Sequence, residues 1–333
     1  MITAGIDVSA KELVVVIQTQ PHAGAGKPMT FENGPEGHQA LIKVLKKRKV
    51  ERVCVEATGV YHFDLAVALH DHGGIELMVL NPKAAKQYGD AVMNRSKTDG
   101  VDAALLAGFA QTMPFQAWKR PDTAYLHLRA AARRLSALTK QRTQAKNHLH
   151  ALEATQSTPE FILEDVRLSM AQLGAQIDAL RAKTLELISG HAIMAETLKL
   201  LVSIKGIAEA SAIQIMGEIL LLPDDMTAKQ WVAMAGLDPR LHQSGSSVNK
   251  KAHISKVGNR HLRHAVYMPA LSASQHDLHV RGYYLHLIEN RGLKKIQALC
   301  AIMRKLLHSI HAMLRLRQPF DGRKFYALPE PAA

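Results

Sequence analysis

The sequence has 333 residues, 42 Lys and Arg against 29 Asp and Glu, a formal charge of +13 and a pI near 9.7. Hydrophobic residues make up 47% and charged residues 21%, which excludes a wholly disordered chain, a collagen-like fibre and a disulfide scaffold. Length calls for two or three domains, because single cores stop growing at about 250–300 residues.

In chain order, the apolar run Ile2–Val8, the Val-rich Glu12–Gln18 and the period-two stretch Pro28–Asn33 predict three strands. The turn Asn33-Gly34-Pro35 then introduces an amphipathic helix over Glu36–Lys49. A buried strand Arg52–Ala57, a helix His62–His72 stopped by Gly73-Gly74 and a strand Ile75–Asn81 follow. Pro82 opens another helix at a position where proline is tolerated, and Asp99–Gln111 is Ala/Leu-rich and helical. Three strands and then strand–helix alternation predict a mixed sheet with an antiparallel meander and helices on its faces.

Residues 122–200 are rich in Ala, Leu, Arg, Gln and Glu and break at Thr158-Pro159. They predict two long antiparallel helices, a coiled-coil region exposed or packed against a second subunit, with an ordinary helical subdomain as the alternative. From Leu198, short helices are punctuated by glycine. Leu201–Ile207, with Lys205-Gly206 at its turn, is similar to a helix-hairpin-helix element, which offers backbone N–H groups to a DNA phosphate. A plain packing turn is the alternative. Ala235–Gly258 is turn-rich and basic, Asn259–Ala273 and Gly292–Leu316 are helical, and the closing ALPEPAA is a tail. The fold class is thus α/β followed by all-α, in three regions: 1–121, 122–196 and 197–325.

Charge is unevenly placed. Arg240–Lys324 holds 16 basic and 3 acidic side chains, whereas residues 1–125 hold 14 and 13. Such asymmetry points to a polyanion, because each phosphate neutralised by Lys or Arg releases counterions; a solvated basic face is the alternative. An acidic lipid surface is disfavoured, since no amphipathic basic helix with Trp or Phe stands out. No window approaches the roughly 20 apolar residues of a membrane span, and the start MITAGIDVSAKEL lacks the features of a secretory leader. Cys54 and Cys300 lie far apart, as in a reducing compartment. A soluble, cytoplasmic protein is expected.

Four acids occupy informative positions. Asp7 ends the first strand and Glu56 the fourth, so parallel pairing would bring both to one sheet edge, where open α/β sheets place ligands. Asp99 and Asp102, three apart, share one face at a helix start. Singly, such acids are solvated groups or caps, and Asp99 alone reads as an N-cap. Together they repel unless cations neutralise them, and an all-oxygen set suits Mg²⁺ or Mn²⁺.

The segments Gly5-Ile6-Asp7-Val8-Ser9, Val55-Glu56-Ala57-Thr58-Gly59-Val60-Tyr61, Asn81-Pro82 and Lys97-Thr98-Asp99-Gly100-Val101-Asp102-Ala103 together resemble the RuvC-like DEDD domain of insertion-sequence transposases, a family that includes the Piv DNA invertase. Gly236-Leu237-Asp238-Pro239, Gln243-Ser244-Gly245 and Ile254–Arg263 are similar to that family's second transposase domain, so the resemblance covers nearly the whole chain. It implies a ribonuclease-H-type sheet and a DNA recombinase with a metal-bound tetrad, Asp7, Glu56, Asp99 and Asp102. It also implies a serine nucleophile, with guidance by a structured bridge RNA; serine attack on phosphorus would form a covalent phosphoserine, and a tetrad and a serine held in separate domains call for a dimer or tetramer. The family motif selects Ser244; by chemistry alone a Ser-Gly turn is more often a plain surface turn, and Ser246 and Ser247 follow at once. The basic Ser247-Val248-Asn249-Lys250-Lys251 departs from the glycine-rich continuation of the family pattern.

Around that loop Lys250, Lys251, Lys256, Asn259, Arg260 and Arg263 are candidates for holding phosphates, with Lys205 and Gly206 upstream. A solvated basic helix is their alternative. The histidine pairs lack nearby cysteines and a complete zinc spacing, so they are read as surface or phosphate-contacting groups. The leading reading is a transposase or recombinase. A metal-dependent nuclease of the Holliday-junction resolvase type that uses water, and a non-catalytic DNA- or RNA-binding protein, are the alternatives.

Overall fold

The structure, a computed structural model, describes residues 1–19, 26–57, 59–94, 96, 98–244 and 248–328, the side chains of 241–244 and 248–252 excepted. The chain divides into two compact units, Met1–Arg120 and Pro121–Ala333.

The first unit is built on a five-stranded sheet of β1 (Thr3–Val8), β2 (Glu12–Gln18), β3 (Met29–Glu32), β4 (Arg52–Glu56) and β5 (Glu76–Leu80). Their spatial order is β3-β2-β1-β4-β5. The first three pair antiparallel, and β1, β4 and β5 pair parallel. This is the meander with a parallel extension that the sequence predicts. Alternate strand residues face opposite ways, and both faces are covered. Ala4, Ile6, Val53 and Val55 pack with Leu41 and Leu45 of α1 (Pro35–Lys47) and Leu65 and Leu69 of α2 (Phe63–His72). Cys54, Met78 and Leu80 pack on the other side with Leu106 and Ala110 of α4 (Asp99–Thr112). Covering both faces is what makes these strands near-continuous apolar runs. Between them α3 (Pro82–Ala91) starts as expected, with proline in its first turn and the Asn81 side chain accepting the Lys83 N–H at 2.9 Å.

In the second unit, α5 (Thr123–Glu153) and α6 (Glu160–Ser189) form a long antiparallel hairpin. Arg167 pairs with Glu153 and Glu160 near its tip, and His191 lies 3.2 Å from Asp122 at its base. The region expected over 122–196 therefore lies within this second unit. Short helices α7 (Ala192–Val202), α8 (Glu209–Ile219) and α9 (Ala228–Met234) follow, then α10 (Arg260–Ala265), α11 (Tyr267–His276), α12 (Leu278–Glu289), α13 (Lys295–Leu316) and α14 (Gly322–Phe325). One core runs through them, from Leu128 and Leu135 to Met216, Ile302 and Ile310.

One feature departs from the expected all-helical second region. The stretch read as turn-rich forms an antiparallel hairpin of β6 (Pro239–Ser244) and β7 (Val248–Ile254), with a bulge between Arg240 and His242. Its Arg, His, Gln, Asn and Lys residues favour strands poorly, and backbone pairing overrides them. The helix α12, rich in tyrosine and histidine, lies between the two predicted helical stretches and agrees with the all-helical expectation. The tail residues 329–333 and the loop 245–247, with Ser246 and Ser247, lie outside the described residues.

Candidate active site and basic face

The acid edge is set by two registers. Along β1 and β4, Gly5 stands beside Cys54 and Ile6 beside Val55, so Asp7 and Glu56 come next on neighbouring parallel strands. Both continue the Gly5 and Cys54 side of the sheet, where α4 packs. The Thr3 hydroxyl donates to the Ala107 carbonyl at 3.0 Å. Two residues further along the strand, a Cβ on Gly5 would lie 1.9 Å from the Ala103 carbonyl oxygen. Strand and helix therefore run in opposite directions, about 6.7 Å of strand matching about 6 Å of helix. One more step sets Asp7 against the first turn of α4, which carries Asp99 and Asp102. Glycine at position 5 permits this approach.

The chemistry of the acids differs by place. Thr98 is the N-cap of α4, its side chain accepting the Val101 N–H at 3.3 Å. Asp99 is thus not the cap that it could have been when taken alone. Neither Asp99 nor Asp102 has a side-chain hydrogen bond or ion pair among the described residues. The first helical turn favours both negative charges. Asp7 and Glu56 are half-buried and each interacts within the fold. Burial, with the Glu56 charge added, pushes the Cys54 thiol up to about 12, so this cysteine is an inert core group.

Four carboxylates without nitrogen or sulfur ligands suit a hard divalent cation. Among the described residues, however, no three His, Cys, Asp or Glu side chains stand at a spacing that would hold one. The acids share an edge, and their side chains are not gathered into a closed ligand set.

In the second unit, Ser244 ends β6 opposite Val248, at the tip of the β6–β7 hairpin. Its side chain and those of Lys250 and Lys251 lie outside the described residues. Lys205 is exposed in the turn between α7 and α8. The neighbouring Gly206, at φ +109°, faces inward: a Cβ there would come 2.6 Å from the Ala273 nitrogen of α11. The glycine is needed for packing. Lys256, exposed with φ +54°, and Arg260, exposed at the start of α10, follow the hairpin.

Asn259 and Arg263 are committed within the protein. Asn259 caps α10 by accepting from His261 and Leu262 and donates to Glu218 at 2.6 Å. Arg263 donates to the Ala235 carbonyl at 2.8 Å. Glu218, 4% exposed, also receives both arms of Arg133 from α5, at 2.8 and 2.9 Å. Burial would raise this carboxyl, but Arg133 and Asn259 outweigh it and hold it below the usual carboxylate range. Sequence reasoning missed this clamp, which joins α5, α8 and the loop after the hairpin. Its one signal was a lone acid in the apolar Ile213–Leu222.

These are the features of an α/β domain with acids along one sheet edge, followed in the chain by a basic, mostly helical unit. Residues 4–153 match a DEDD family model described as Transposase, and residues 198–285 match one described as the Transposase IS116/IS110/IS902 family. The pilin gene-inverting protein of Moraxella bovis is 30% identical over 308 residues, covering 88% of this chain and 90% of that protein. An insertion element IS110 protein of Streptomyces coelicolor is 27% identical over 175 residues, 53% of this chain and 40% of that protein. Among solved structures, Thermus thermophilus RuvC with a Holliday junction substrate covers 33% of this chain and 95% of its own, at 17% identity and a TM-score of 0.26. The chain belongs to the IS110 family of transposases and is an enzyme of DNA recombination. Membership points to dependence on a divalent metal ion. No described helix is long and apolar enough to cross a membrane.

Proposed function

We propose that this chain is the transposase or site-specific recombinase of an insertion element, acting on DNA at the element ends and the target. Asp7, Glu56, Asp99 and Asp102 are the residues that would hold Mg²⁺ or Mn²⁺. Such an ion would polarise a phosphodiester and stabilise charge on the attacking and leaving oxygens. Ser244 is the nucleophile. Its Oγ bonds to phosphorus, one strand end leaves as a hydroxyl that takes up a proton, and the serine proton passes to solvent. Attack by the hydroxyl of a second strand end reverses this, releasing Ser244 and restoring the phosphodiester. No nucleotide triphosphate is needed, because each phosphoester broken is replaced by another.

The observation that carries this reading is the convergence of β1, β4 and the first turn of α4 on one edge, with an acid at each arrival point. Lys205, Gly206, Lys250, Lys251, Lys256 and Arg260 contact phosphates, while Asn259 and Arg263 hold the loop they border. The turn between α7 and α8 acts as a helix-hairpin-helix, with Lys205 as its exposed charge. A structured bridge RNA guides the reaction, and the setting is the cytoplasm. The enzyme works as a dimer or tetramer whose copies meet along α6 as a coiled coil. Phe161 and Leu168 support this, being 67% and 59% exposed and seven residues apart on that helix. Inversion of a DNA segment is the second reading, favoured by the extended similarity to the Moraxella bovis pilin gene-inverting protein.

Incubation with element-end DNA, followed by a denaturing gel, tests the mechanism. Wild-type protein is expected to cut and to leave a covalent protein–DNA band. Ser244→Ala is expected to lose both, and Asp7→Asn to lose cutting. Cutting retained by Ser244→Ala without the covalent band would move attack to water and make this a nuclease of the junction-resolving type. Unchanged cutting by Asp7→Asn would remove the acids from the chemistry.

A further inference from the structure

The described β1–β4 pairing ends at Ile6 and Val55, one residue short of Asp7 and Glu56. The strand ladder therefore stops just before the two acids, and beyond it the chain leaves as two loops. One holds the exposed Ser9 of the β1–β2 turn, the other the exposed Tyr61 before α2. A single side chain spans them. Asn33 Nδ2 donates to the Ser9 carbonyl at 2.8 Å and to the Tyr61 carbonyl at 3.1 Å. The Asn33 backbone N–H donates to the Lys11 carbonyl at 2.8 Å, which anchors the residue on the same β1–β2 turn. Its Oδ1 faces Nε2 of His38 on α1, also at 2.8 Å.

The partners fix the roles. Two carbonyls can only accept, so both amide N–H groups point to the loops and Oδ1 points to His38, whose proton must then sit on Nε2. The ring is 5% exposed, and burial holds it below its ordinary pKa against the pull of Asp64, so it is a neutral donor at neutral pH. Packed in the core it has little freedom to turn, which in turn holds the amide. We propose that Asn33 is a positioning residue for the acid edge: oriented by His38, its amide latches together the loops leaving β1 and β4 and so limits how far apart Asp7 and Glu56 stand when they share one divalent cation. This rests on the reading of those acids as metal ligands. Asn33 and His38 act through the acids, as outer partners do around metal ligands.

The test is Mn²⁺ binding by the full-length chain without DNA, read from the loss of the free-ion EPR signal, with urea unfolding on the same preparations. Asn33→Ala is expected to weaken Mn²⁺ binding about tenfold. Ser9 and Tyr61 are exposed, so water replaces the lost donor and the chain stays folded. His38→Leu leaves Oδ1 without its donor and should weaken binding similarly. His38→Gln, whose amide N–H can stand in for the imidazole N–H, should restore it. Ile42→Val, which trims a buried side chain of α1, should lower the urea midpoint and leave Mn²⁺ binding as in wild type, which separates position from stability. Wild-type Mn²⁺ affinity in folded Asn33→Ala, or the same loss in His38→Gln as in His38→Leu, overturns the latch alone when Asp7→Asn still lowers affinity. If the wild-type chain takes up no Mn²⁺, or Asp7→Asn leaves its affinity unchanged, the metal reading fails and the latch with it.

Discussion

Glu218 and Arg133 are unequal partners: the carboxylate is 4% exposed and the guanidinium 42%. Arg133→Met strands a buried charge with only Asn259 to bond it, and should cost about 3–5 kcal/mol. Glu218→Gln leaves the charge on the partner that water already reaches and keeps one accepting oxygen, while its NH2 meets only the donors of Arg133 and Asn259, so a smaller loss of about 1–3 kcal/mol is expected. Urea unfolding midpoints of the two variants check this order, and equal losses would refute it. The pair also sets a pH response. The folded-state pKa of Glu218 is held below its ordinary 4.5. Its stabilisation is therefore complete above about 4.5 and lost as pH falls through the lower folded value. Stability of the wild-type chain should fall more steeply than that of Glu218→Gln below pH 4.5.

At the scale of elements, α4 sits where it does because Gly5 lets it. In Gly5→Ala the new Cβ lies 1.9 Å from the Ala103 carbonyl oxygen and 2.3 Å from the Ala107 nitrogen. The helix must lift, carrying Asp99 and Asp102 with it. A stability loss of about 1–3 kcal/mol from overpacking is expected, with loss of cutting, read by thermal melting and the DNA assay on the same preparation. Gly174→Ala is the converse. No atom stands within 4 Å of a Cβ there, inside α6, so the substitution should stabilise by about 0.5–1 kcal/mol. Such local features explain what the sequence revealed. The strands and helices of the first 112 residues were legible because apolar period and turn residues mark each of them. The acid edge was legible because two acids end strands and two open a helix. The β6–β7 hairpin was not, since its residues are polar and only backbone pairing holds it. Nor was the inward packing of Gly206 on Ala273, or the tie of Asn259 to Glu218, which join residues 67 and 41 apart. Short-range pattern carries no trace of such partners.

Over the whole molecule, acids and bases are separated by unit. The four acids belong to the first, whose charge is nearly balanced, while Arg240–Lys324 of the second carries 16 basic and 3 acidic side chains. Binding and cutting should therefore come apart. Phosphate attraction depends on Lys and Arg and weakens with salt, whereas the acid edge can approach a phosphodiester only when a cation offsets its repulsion. Chelating divalent ions should abolish cutting while the gel shift of duplex DNA persists. Removing one negative charge with Asp7→Asn should leave metal-free binding unchanged or slightly tighter. If affinity instead collapsed with the metal, the acid edge would be carrying the grip on DNA, and the basic unit would have no part in it.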